Sequence, residues 1–265
     1  MALAAFGGAA ALLGLFVLTE TRARQPITPL RLFTDVSRVG SFLARLLLIA
    51  GMFGVFFFLT QFLQKIMGFS PIRAGVAFLP MTIALFGVSR LAPRLMPRVG
   101  TKPLMIIGML PAIASMAWLW RVTPATGYWS GIFGPMLLLG LGMGLVFVPL
   151  TTTSLAGVPA ADSGAASGLV NMLQQVGGAL GLGVLVAVYG TASRHAAAHP
   201  LAGLNPLTPL AQSQHVLTHG MAAAFGFAAI LDVCSLLVIV TLIRTGGRAP
   251  AAGPSQRTQE RAAAS

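Results

Sequence analysis

One acid lies deep within an apolar run: Asp232, flanked by Leu231, Val233 and Cys234. A carboxylate in that setting is costly unless it has a task, and the chemistry open to it is to take up and release a proton. A hydrogen bond to a neighbouring helix is the other use the residue type allows. Arg45, about two turns inside another apolar run, either reaches back to the interface along its long stem or turns inward. Turned inward, it would attract an anionic group or tune a nearby acid. Amides supply the remaining intramembrane polarity. Asn171 and Gln175 are i,i+4 neighbours on one stripe with Gln174 beside them, and Gln61 and Gln64 lie close to the end of their run. In a helix this apolar, such amides face protein or water rather than lipid.

Other chemistries find little support. His195/His199 and His215/His219 are i,i+4 pairs that could bind a metal if both segments were helical, but no carboxylate joins them. Their proline-rich surroundings favour solvated residues of a loop, and no metal is expected. No glycine-rich loop precedes a Gly-Lys-Ser/Thr, and no catalytic dyad is visible, so neither a cofactor nor an enzyme activity is expected. A single cysteine rules out an internal disulfide.

The elements that must hold these residues are membrane helices. The chain has 265 residues, 56% of them hydrophobic and 8% charged, with a mean hydropathy of +0.85. Soluble domains carry about a quarter charged residues. Apolar runs near the ~20 residues needed to cross a bilayer lie at 2–18, 39–62, 72–92, 103–120, 129–150, 164–190 and 218–243. Helices are expected throughout, because an open strand leaves its backbone unsatisfied in lipid.

The net charge of +12 does not form a nucleic-acid face. Basic residues fall in alternate loops: Arg22, Arg24, Arg31 and Arg38; Arg90, Arg94, Arg98 and Lys102; and Arg244, Arg248, Arg257 and Arg261. The other loops hold only Lys65 and Arg73, Arg121, and Arg194. The positive-inside bias makes the first set and the C-terminus cytoplasmic. No basic n-region or cleavage site marks a signal peptide, and a span opening at residue 1 suggests sequence upstream. The tail 244–265 is expected to be disordered for want of apolar surface.

Two spans stand out for glycine at one-turn spacing: Gly140 and Gly144, then Gly164 and Gly168, and Gly177 and Gly181. Small-xxx-small pairs let helix backbones approach closely in lipid. Pro149 either makes a hinge after those first glycines or simply marks a helix end. Asp162 is placed to meet the positive terminus of the next helix. Spans 39–120 and 129–243 also read as two three-helix units of opposite orientation, the inverted-repeat logic of secondary transporters.

The run Gln61-Phe-Leu-Gln64-Lys-Ile-Met-Gly68-Phe-Ser70-Pro71-Ile-Arg-Ala74-Gly75, continuing to Leu79-Pro80, resembles a signature of the fourteen-span drug:proton antiporters of the major facilitator superfamily. The Gly140–Gly183 stretch and the linker Pro29-Leu30-Arg31-Leu32-Phe33 are similar to later and earlier parts of the same family. Arg98-Val-Gly100-Thr-Lys102 resembles the superfamily's basic cytoplasmic loop, without its usual acid. The resemblance implies an all-α membrane protein holding the second half of such a transporter. It assigns 1–18 to a linker span, 19–37 to a basic cytoplasmic linker and 38–243 to the six-helix C-terminal domain. It implies a multi-pass protein of the cell membrane that exports hydrophobic or cationic compounds by alternating access. The proton is the coupling ion, and the N-terminal half is a missing partner. An inactive fragment, or an interaction subunit needing that half, is the alternative. Spans 39–62 and 129–150 would line the cavity, bringing Gln61 and Gln64 towards substrate unless they only cap the interface. Span 164–190, with Asn171, Gln174 and Gln175, would form the moving domain interface.

Overall fold

The computed structural model describes residues 30–199 and 209–244, together with Gly14, Leu15 and Thr19. The expected span at 2–18, most of the linker at 19–37 and nearly all of the tail lie outside the described residues. Six long helices form the rest: α1 Val36–Gln61, α2 Leu79–Val99, α3 Thr101–Leu119, α4 Phe133–Leu155, α5 Ser163–Ala198 and α6 Pro209–Leu242. A π-helical turn Phe62–Ile66 prolongs α1, Pro71–Ala77 leads into α2, and Tyr128–Gly131 leads into α4. Each unit is long and apolar enough to cross a membrane. No strand occurs among the described residues, so this is an all-α membrane fold.

Local chemistry fixes the helix ends. Asp35 caps α1 by accepting from the Arg38 amide at 2.7 Å, satisfying one of the orphan donors of the first turn. Gly100, at φ +93°, reverses the chain between α2 and α3 in a backbone region that other residues avoid. Two helices outrun their apolar stretches at 164–190 and 218–243: α5 continues to Ala198 and α6 begins at Pro209. Ala196–Ala198 are strong helix formers, and Pro209 suits a first helical position. His195 therefore sits on α5 and His215 and His219 on α6, rather than in a loop, while His199 lies just past the end of α5.

The packing pattern has a near-twofold symmetry. The first helix of the first unit, α1, packs mainly on α5 and α6, the second and third helices of the other unit. Reciprocally, α4 packs mainly on α2 and α3. The α3–α6 and α1–α4 contacts map onto themselves, while α5–α6 is much more extensive than its counterpart α2–α3. The two units are thus interlocked rather than side by side. Phe58, Phe62, Phe225, Met105, Met109 and Met116 fill the shared core. A smaller cluster of Leu32, Phe42, Ala166, Leu169 and Val170 docks the turn Leu30–Phe33 against α1 and α5.

Glycine pairs set the two equivalent crossings. On α4, a Cβ at Gly144 would stand 2.8 Å from the Leu85 carbonyl oxygen of α2, and one at Gly140 would overlap that of Met81. On α5, a Cβ at Gly177 would stand 2.8 Å from the Leu46 oxygen of α1, and one at Gly181 would overlap Ala50. Gly164 and Gly168 differ: nothing lies within 4 Å of either added Cβ. A Gly181→Leu protein is expected to lose about 1–3 kcal/mol through overpacking. Gly168→Ala should be neutral or gain up to about 1 kcal/mol from helix propensity. Thermal unfolding of the purified chain in detergent measures both, and equal tolerance of the two would contradict the packing.

Candidate functional site

A polar seam runs along one end of the bundle, where the first half of α1 meets the last turns of α4 and the start of α5. At its edge, Arg31 Nη2 donates to Asp162 Oδ1 at 2.6 Å. Asp162 stands at the N-terminus of α5, as its position suggested; it ends the 3₁₀ turn Ala160–Asp162, and its carboxylate makes no capping hydrogen bond but takes Arg31. The hydrogen bond to Asp162 holds the exposed Arg31 guanidinium above its ordinary range. Next, Arg38 Nη2 donates to the Ala156 carbonyl at 2.8 Å, just past the end of α4. Ser41 and Ser154 share a hydrogen bond of 2.8 Å.

Arg45 lies deepest in the seam. Nine residues into α1, at 1.5 Å per residue, it stands about 13 Å from the helix start. It is only 2% exposed. Its Nη2 donates to Thr151 Oγ1 at 2.5 Å and its Nη1 to Gln174 Oε1 at 3.3 Å, with the guanidinium 5.4 Å from the Phe147 ring centre. Of the two orientations open to Arg45, the side chain takes the inward one. It has no acid partner among the described residues. The negative end of the α4 dipole, a hydroxyl, an amide oxygen and an aromatic face surround the charge instead. Thr151 also donates to the Phe147 carbonyl at 2.8 Å, so one hydroxyl serves both helices.

That hydroxyl belongs to a run that residue spacing alone did not single out. Thr151, Thr152, Thr153 and Ser154, directly after Pro149, each donate to the carbonyl four residues back. Proline removes a helical hydrogen bond and such back-bonding loosens the next turn, yet the helix continues to Leu155.

The other sequence-derived residues scatter. Gln61 accepts from Lys65 at 2.8 Å at the far end of α1, and Gln64 is exposed in the π-helical turn. Asn171 and Gln175 are exposed on α5, on a face with Gly164 and Gly168. Asp232 is fully buried on α6, and neither of its oxygens has a hydrogen-bond partner. The structure thus joins Arg45 to Gln174 and leaves Asp232 apart. No group of three metal-ligating side chains occurs among the described residues, although the histidine rings pair at 4.4 Å and 6.2 Å. A shallow cleft of about 650 Å³ lies elsewhere, at the ends of α3 and α4 around Trp118 and Arg121.

Six spanning helices in two interlocked three-helix units, with polar groups held between them, define a multi-pass membrane protein of the secondary-transporter kind. The chain belongs to the Major Facilitator Superfamily, whose sequence profile matches residues 1–182. It is 38% identical over 229 residues to the puromycin resistance protein pur8 of Streptomyces alboniger, covering 84% of this chain and 45% of the relative. It is 41% identical over 189 residues to the cephamycin export protein CmcT of Amycolatopsis lactamdurans, covering 70% of this chain and 38% of the relative. A tetracenomycin C resistance and export protein of Streptomyces glaucescens is 34% identical over 176 residues, 65% of this chain and 32% of the relative. The chain therefore spans less than half the length of these relatives.

The Arg45–Thr151 contact can be isolated by a double-mutant cycle with Arg45→Met and Thr151→Val. A coupling of about 1 kcal/mol is expected, as hydrogen bonds to charged groups exceed the membrane average. Unfolding midpoints of the four purified proteins give it, and additive effects would show that the two do not interact.

Proposed function

We propose that the chain works as the second half of a proton-coupled exporter of hydrophobic or cationic small molecules, moving them by alternating access. The observation that carries this reading is the pair of open faces on α2 and α5. These helices are exchanged by the near-twofold symmetry, and they are the least buried of the six. On α5 the open face bears Gly164, Gly168, Asn171 and Gln175; on α2 it bears Leu79, Ile83 and Phe86. Small residues and amides suit a second body that approaches closely and slides. Relatives named for drug resistance and export, of which the matched stretch covers 45% and 38%, support a second body as the partner of these faces. It is a preceding six-helix half, in the same chain or encoded separately.

In this reading the ends of α1 and α4 turn towards the substrate path, Gln61 and Gln64 stand near its outer mouth, and Pro149 with its hydroxyl run supplies flexibility. Arg90, Arg94 and Arg98 and the C-terminus lie on the cytoplasmic side of the cell membrane in this reading, consistent with the positive-inside bias. The short coverage of the relatives also supports a second reading, in which the chain alone is inactive or serves as an interaction subunit.

Efflux of a fluorescent cation from vesicles under an imposed proton gradient separates the two. The chain joined to its preceding half is expected to drive efflux and the chain alone to leave it at background. Background efflux from both would end the exporter reading, and full efflux by the chain alone would end the half-transporter reading.

A further inference from the structure

The crossing of α1 and α6 contains a group that neither packing nor the polar seam uses. A Cβ at Gly51 of α1 would stand 3.3 Å from Asp232 Oδ1 and 3.6 Å from the Ala228 carbonyl oxygen of α6. Asp232 is fully buried and both its oxygens lack partners. It lies ten residues from the Leu242 end of α6, about 15 Å at 1.5 Å per residue, which is half the ~30 Å hydrocarbon core. Counted from that end, the carboxyl lies about half a hydrocarbon core deep.

Symmetry shows what this position needs for packing alone. Exchanging the two units carries the α1–α6 crossing onto the α4–α3 crossing. There, a Cβ at Gly142 of α4 would meet the Gly108 carbonyl oxygen at 2.7 Å and the Ala112 Cβ at 3.0 Å. Ala228 and Asp232 are spaced as Gly108 and Ala112 are, four residues apart, so Asp232 takes the place of Ala112. The equivalent crossing closes with an alanine. An acid at this place adds nothing to the fit of the helices and leaves two polar atoms unsatisfied.

Neighbouring charges do not reach it. On α1, Arg38 and Arg45 are engaged with α4 and α5 through Ala156, Thr151 and Gln174, and Lys65 is held by Gln61. Lys102 of α3 donates to the Val240 carbonyl, about 12 Å along α6 from Asp232. Tyr189, Arg194 and His195 on α5 and His199 just past it lie towards the opposite end, as do His215 and His219 on α6. Cys234 is half-buried and makes no disulfide.

We infer that Asp232 is a proton-binding residue of this half: it carries the proton while α1 and α6 are packed across Gly51, and gains or loses it when that crossing opens to water on one side or the other. The step moves one proton. Water reaching the crossing delivers it to a carboxylate oxygen, which removes the charge. Water entering from the other side takes the proton back. This inference rests on the proton-coupled exporter reading.

The test compares wild type with Asp232→Asn, Asp232→Glu and Asp232→Ala in the chain joined to its preceding half. Gradient-driven efflux and gradient-free downhill exchange are both measured. Asp232→Asn should lose most gradient-driven efflux while downhill exchange stays within a factor of about two, and Asp232→Glu should restore part of the drive. Asp232→Ala, which copies the equivalent crossing, should reach the membrane in wild-type amounts. Undiminished drive in Asp232→Asn would overturn the inference with the exporter reading intact, and so would failure of both neutral variants to fold. Should wild type itself show no gradient-driven efflux, the exporter reading fails and infrared spectra of the chain in lipid vesicles decide the inference. With five acids in the whole chain, a protonated-carboxyl stretch absent from Asp232→Ala would uphold proton binding, and identical spectra would overturn it.

Discussion

Helices in lipid cannot be gathered by burying apolar surface, so this fold depends on how closely its backbones approach. Glycine makes the approach possible at the two crossings that interlock the units. Gly140 and Gly144 bring α4 onto carbonyls of α2, and Gly177 and Gly181 bring α5 onto the backbone of α1. The same device on symmetry-related pairs makes each unit incomplete without the other. A contact of this kind gains dispersion and weak hydrogen bonding along several turns, none of it available to a helix carrying larger side chains there.

Polar residues then fix what glycine only allows. At one end of the bundle, Arg38, Ser41 and Arg45 follow one face of α1 and engage Ala156, Ser154 and Thr151 in reverse order along α4. Gln174 adds α5 to the same guanidinium. An arginine this deep is tolerated because oriented dipoles replace its hydration, and because it meets the negative end of a helix. Asp232 stands outside this arrangement with no compensating donor, which is why the two buried groups suggest different roles although Arg45 belongs to α1 and Asp232 packs against it.

Much of the fold was legible in the sequence. Apolar runs gave the six described spans, glycine spacing gave the close-packing faces, and the halves of the chain echoed each other. What spacing could not supply was the neighbour each face meets. Gly164 and Gly168 have the same spacing as Gly177 and Gly181, but they point away from α1 and find open space. Periodicity marks a face of a helix, not the body that covers it. Arg45 likewise showed two options that only its surroundings separate: Thr151 lies 106 residues away in sequence, and nothing local names it as a partner. The place of Asp162 at a helix start was visible, but its partner Arg31, 131 residues away, was not. The run Thr151–Ser154 was in plain view, and hydroxyls following a proline in an apolar helix were the signal to weigh.

The open faces of α2 and α5 are the central feature of this account, because the proposal that this six-helix body is half of a transporter rests on them. Placing a photo-crosslinking residue at Asn171 in native membranes tests them most directly. The account predicts an adduct between Asn171 and the preceding half of the transporter, lost when that half is withheld. Adducts with lipid alone, unchanged whether or not that half is present, would contradict it.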